Sequence, residues 1–175
     1  MDNPFAYAEN DLILGALMMI PAWLVIGGVA LIVALAMNRL LNSDLRWFLR
    51  LRRPRWLTFE WAIPIIWTVI LICGAWSAYI IWVTEPSTPR CWILMGAYLL
   101  LEIVILAYTP VMCSFRSLRV GTMIGATGFF VGLALSVVVF PLSSWAVMLL
   151  LPYLLWSPIG TFVTWQMIPL NPSAA

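Results

Sequence analysis

The chain has 175 residues, of which 64% are hydrophobic and only 9% charged, with nine basic and seven acidic side chains and no histidine. A soluble domain keeps about a quarter of its residues charged, so a water-borne enzyme is excluded, and a net charge of +2 offers no nucleic-acid surface. Without histidine the commonest haem ligand, metal ligand and general base are all missing.

Residues 1–11 form a short arm carrying Asp2, Glu9 and Asp11, which is the wrong charge for the n-region of a signal peptide. Five apolar stretches follow, at about 12–37, 62–83, 91–112, 120–142 and 146–168. Each is long enough to cross a hydrocarbon layer of ~30 Å as a helix. The expectation is an all-α integral membrane protein, a five-transmembrane-helix bundle formed by a single membrane domain over 1–175.

The first span contains Gly27 and Gly28, a patch suited to close packing. Segment 38–61 is the longest polar stretch, and it mixes six Arg with Leu45, Trp47, Phe48, Leu49, Leu51 and Leu57. Such a mixture suits an amphipathic surface segment or a lid at the membrane interface. All nine basic residues are Arg, and eight of them fall between spans one and two or between spans three and four, with Arg90 alone on the other side. By the positive-inside rule the N-terminus lies outside and the C-terminus inside.

Three features lie within the spans. Trp67 and Trp156 fall well inside apolar segments, whereas Trp normally belongs at the two interfaces. A deep indole N–H needs a partner. Glu102 is the one carboxylate deep in a span, which makes it either a functional group or a neutral acid bonded to a neighbouring helix. Leu101, Ile105 and Tyr108 share a helix face, ahead of Thr109-Pro110. In span four, Gly121/Gly125 and Gly128/Gly132 each make a GxxxG pair, for contact within the bundle or between protomers. In span five, Pro152 and Pro158 bracket Trp156 and loosen the backbone ladder around it. Cys73, Cys91 and Cys113 have no metal-like spacing, and no metal site is expected.

From Arg46 to Pro172 these residues are similar to the translocator protein / tryptophan-rich sensory protein (TspO/MBR) family. The resemblance rests on Arg53-Pro54-Arg55-Trp56, on Trp61 to Thr68 with Pro64 and Trp67, and on Leu101, Ile105, Tyr108, Thr109 and Pro110. It continues in Leu150-Leu151-Pro152-Tyr153-Leu154-Leu155-Trp156, in Gly160 to Trp165, and in Leu170-Asn171. The resemblance implies a five-helix bundle, often dimeric, with a pocket beneath the loop joining helices one and two. Members bind porphyrins, and some bind sterol and synthetic ligands. Bacterial members are linked to tetrapyrrole turnover through two Trp that match Trp67 and Trp156.

On that resemblance Trp67, Trp156, Tyr108, Leu101, Ile105, Gly160, Trp165 and Trp61 are the candidate ligand-binding residues. Arg50, Arg52, Arg53 and Arg55 are candidates to meet anionic groups from the lid. Leu101 and Ile105 replace a Gln and an Asn, Tyr108 replaces a Trp, and Pro169 stands where the sterol segment has a basic residue.

Two functions follow as alternatives. One is a tetrapyrrole-binding membrane receptor for sensing, scavenging or trafficking, with no covalent cofactor and at most Trp-dependent porphyrin degradation as enzymatic activity. The other is a structural or assembly subunit of a larger membrane complex, photosynthetic if the host makes chlorophyll, that keeps the fold without the ligand. A small-solute transporter is a third, without the inverted repeats such proteins show. Lipid, a tetrapyrrole, and a homodimer or larger complex are the expected partners, and the membrane is a bacterial inner, thylakoid or organellar one. Reversing the Arg residues at positions 46–55 to Glu should disturb insertion topology before anything else, as read by cysteine accessibility from each side. Normal topology with lost ligand binding would assign those Arg to the ligand instead.

Overall fold

The computed structural model describes residues 21–41, 45–86 and 88–175. The acidic arm and the expected first-span residues 12–20 lie outside them. Helix α1 is Ala22–Leu41, α2 is Leu45–Leu49, α3 is Ile63–Thr84, α4 is Pro89–Phe115, α5 is Leu118–Val139 and α6 is Ser144–Leu170. Short 3₁₀ turns at Glu60–Ala62 and Pro172–Ala174 complete the described elements. Five of the helices (α1, α3, α4, α5 and α6) are long and apolar enough to cross a membrane.

Local chemistry sets the helix ends. Pro64 and Pro89 sit in the first turns of α3 and α4, where no intrahelical N–H is needed. The hydroxyls of Thr88, Ser117 and Ser143 cap α4, α5 and α6 by accepting from the N–H of Cys91, Val120 and Ala146. Arg116 ends α4 in the left-handed region, at φ 48°, and turns the chain into α5 within two residues. Pro110 in α4 and Pro152, Pro158 and Pro169 in α6 lie inside continuous helices.

The spanning helices close a ring in which α1 touches α3 and α4, α3 packs on α6, α6 on α5, and α5 on α4. In lipid there is no hydrophobic drive between helices, so packing and hydrogen bonds hold them. At the end where α3 gives way to α4 a packed core is built on Ile81, Leu94, Val139, Ala146 and Leu150, each at most 3% exposed. The fully buried Ser77 hydroxyl ties three helices there, lying 2.6 Å from the Tyr98 hydroxyl and donating to the Ala146 carbonyl at 2.7 Å. At the other end a second cluster (Met112, Leu118, Met167 and Ala174) seats α2 and its flanks through Trp47, Phe48 and Leu51.

The glycines of α5 are the tightest contacts. A Cβ on Gly132 would fall 2.5 Å from Cε1 of Tyr153, one on Gly128 2.7 Å from the Tyr153 hydroxyl, and one on Gly121 2.5 Å from the Met112 sulfur. These GxxxG pairs are used within the bundle. Gly132→Val should therefore lower stability by about 1–3 kcal/mol through overpacking, measured by denaturation in detergent. Gly74→Ala, where a Cβ meets nothing within 4 Å, should cost nothing. Equal losses at both positions would contradict this packing.

Candidate ligand-binding site

Between the α2-side cluster and that core the interior of the ring is not filled, leaving a cavity of about 290 Å³. Its walls come from α3 (Ile63, Pro64, Trp67), α4 (Val104, Ile105, Tyr108), α5 (Gly125, Gly128) and α6 (Tyr153, Trp156, Gly160, Thr164). Phe48, Arg53, Leu57 and Glu60, from the segment between α1 and α3, line it from above as a lid. Gly125 and Gly128 line it while packing closely, Gly125 against Thr161 and Tyr108 and Gly128 against Tyr153 and Val104.

Polar groups in the wall are few. The Tyr108 hydroxyl is hydrogen-bonded to the Thr164 hydroxyl, which also donates to the Gly160 carbonyl at 3.2 Å. Ser157 donates to the Gly125 carbonyl at 3.4 Å. The indole nitrogen of Trp156 and the hydroxyl of Thr161 are buried with no hydrogen-bond partner among the described residues. Buried donors are almost always paired, so two exceptions in one cavity wall mark it as polar in a specific way.

The lid is held by a small set of contacts. The Asn171 side chain clamps the Arg52 backbone at both ends, accepting from its N–H at 2.8 Å and donating to its carbonyl at 2.9 Å. The same amide donates to the Met167 carbonyl at 2.9 Å, which ties the clamp to the last turn of α6. The Trp56 indole donates to the Gln166 side chain at 2.6 Å. Within the lid Arg53 pairs with Glu60, and its guanidinium lies 5.5 Å from the centroid of the Phe48 ring. Phe59 meets Trp156 edge-on, with centroids 6.3 Å apart.

The expected site residues separate into two groups. Trp67, Trp156, Tyr108, Ile105, Gly160 and Arg53 line the cavity. Leu101 is buried but lies deeper, against a different cavity. Trp61 is 74% exposed in the 3₁₀ turn before α3, and Trp165 is 57% exposed on the outer face of α6. Arg52 and Arg55 lie beside Trp165 and Gln166 on the outside of the lid, and Arg50 is exposed and lines neither space. Glu102 faces the second cavity with Leu101. Sequence reasoning missed Tyr153, Thr161, Ser157 and Phe59. The first three recur at i, i+4 and i+8 along α6 (positions 153, 157 and 161), a signal available in the sequence.

An all-helical, five-span ring of this kind defines a multi-pass integral membrane protein. The sequence model of the TspO/MBR family matches residues 22–170, and the chain belongs to that family. No curated protein matches the chain.

The clamp has a direct test. Asn171→Ala removes two lid hydrogen bonds, each worth about 1 kcal/mol, and should raise lid opening roughly ten- to thirtyfold. Trypsin cleavage after Arg50, Arg52 or Arg55 should accelerate by that factor. An unchanged rate would mean that Asn171 does not hold the lid.

Proposed function

We propose that this chain binds a tetrapyrrole-type ligand in the lidded cavity and acts in its sensing, scavenging or trafficking. The observation that carries the reading is Trp156, whose buried N–H lacks an acceptor among the described residues and lies in a wall shared with Trp67 and Tyr108. Leaving such a donor unpaired costs about 1–3 kcal/mol, which a ligand with an acceptor nitrogen or oxygen recovers. Pyrrole-derived rings offer that acceptor together with flat apolar faces for the indoles and the phenol ring to stack on. Tetrapyrrole binding is also typical of the family to which the chain belongs.

Size adds a requirement. Ligand pockets span roughly 300–1,000 Å³, and this cavity, at about 290 Å³, is smaller than a four-pyrrole macrocycle needs. Binding therefore requires the lid to move. Arg53 is the lid cation on the cavity side, and a ligand carboxylate would compete with Glu60 for it. Charge asymmetry supports an outside N-terminus and an inside C-terminus, which puts the lid on the inner face of a bacterial, thylakoid or organellar membrane.

A second reading, a structural or assembly subunit of a larger membrane complex, is favoured by Val104 and Ile105, which make the α4 wall of the cavity apolar. A protoporphyrin titration of the purified chain, following indole fluorescence, separates the two. The binding reading expects saturable micromolar quenching, with affinity falling roughly tenfold in Trp156→Phe, the scale of one lost hydrogen bond. Trp145→Phe, at an exposed position in the first turn of α6, should bind like the parent. Absence of saturable quenching would overturn the ligand reading in favour of a protein partner.

A further inference from the structure

A second and larger cavity, about 990 Å³, lies between α1, α3 and α4. Ile26 and Val29 line it from α1, Gly74 and Ala78 from α3, and Gly96 and Glu102 from α4. Two independent observations set it apart from ordinary helix packing. One carboxyl oxygen of Glu102, Oε1, is buried with no hydrogen-bond partner among the described residues. A carboxyl oxygen in an apolar interior strongly favours having a donor.

The second observation concerns glycine. The glycines of α5 are filled by Met112, Thr161 and Tyr153, but a Cβ added at Gly74 or Gly96 meets nothing within 4 Å. Those two glycines therefore do not bring helices together. They widen the cavity, and Gly in mid-helix otherwise costs about 0.5–1 kcal/mol relative to Ala.

The shape indicates the kind of molecule that fits. Trp82 and Trp92, in edge-on contact with centroids 5.1 Å apart, line the cavity at the ends of α3 and α4. Glu102 is ten residues along α4 from Trp92, about 15 Å at helical rise. The wall is thus mostly apolar over that length, with the Glu102 carboxyl as a polar anchor ten residues from Trp92. A cationic head would have to be stripped of water at that depth, a cost that pairing often fails to recover. A neutral hydroxyl can donate to the carboxyl at far lower desolvation cost.

We propose that this second cavity binds an elongated apolar molecule bearing one hydroxyl, a lipophilic alcohol, which donates its hydrogen bond to Oε1 of Glu102. The site is separate from the lidded cavity and does not depend on what that cavity binds.

The test uses the full chain in phosphatidylcholine nanodiscs, labelled with a diazirine-bearing dodecanol and mapped by mass spectrometry. Labels should concentrate on the parts of α1, α3 and α4 that line the cavity, and unlabelled dodecanol should compete where dodecane does not. Glu102→Leu should reduce labelling about tenfold, as expected for one lost hydrogen bond. Glu102→Gln, which keeps an acceptor oxygen, should restore most of it. Gly96→Phe fills the cavity from an unpacked position and should abolish labelling, serving as a second variant if Glu102→Leu fails to fold. Trp156→Phe should leave it unchanged.

Three results would overturn the proposal: labelling spread evenly over lipid-facing helix surfaces, equal labelling in Glu102→Leu, or equal competition by dodecane. Stronger competition by dodecylamine than by dodecanol, lost in Glu102→Gln, would also overturn it, in favour of a cation.

Discussion

The fit of Tyr153 against the glycine face of α5 is the constraint on which the rest of this bundle depends. Gly128 and Gly132 receive the phenol ring with no space for a methyl group, and Gly121 and Gly125 do the same for Met112 and Thr161. In a membrane such close approach is what gives helices a reason to associate at all. It draws α5 against α6 and α4, and it also decides where the ring does not close. Gly125 and Gly128 face both the packed side chains and the cavity, so one set of residues sets helix spacing and cavity width together.

The two ends of the bundle follow different rules. Toward the junction of α3 and α4, aliphatic side chains pack into one core and the Ser77–Tyr98–Ala146 bonds tie α3, α4 and α6. Toward the lid the same three helices line the cavity together with α5, and closure is left to a short segment seated by Trp47, Phe48 and Leu51 and hydrogen-bonded to Asn171 and Gln166. A short segment over a cavity is the kind of element that opens before a packed core does.

Much of this was legible in the sequence, for identifiable reasons. Hydropathy alone marks the spans, because backbone groups in lipid must be satisfied within helices. Trp67, Trp156 and Tyr108 announced themselves by depth and by motif. The residues that do not reach the lidded cavity are explained by helix geometry. Trp165 is nine residues from Trp156, which is about half a turn out of phase and therefore on the opposite face. Leu101 shares the face of Tyr108 but lies about 10 Å further along α4, buried against the second cavity. Trp61 precedes α3 and never enters the helix. Glu102, one residue past Leu101, is rotated by about 100° toward α1, and nothing in a linear sequence says what lies on that side. Asn171 was visible only as part of a motif, since its role depends on a contact 119 residues away.

The central claim is that the cavity beneath the lid is a ligand site reached by lid movement. It is tested most directly by locking the lid. A disulfide between cysteines at positions 52 and 171 would replace the clamp with a covalent bond, and porphyrin binding would be measured before and after reduction. The account predicts no binding by the oxidised protein and recovery on reduction. Binding of equal affinity by the locked form would contradict it.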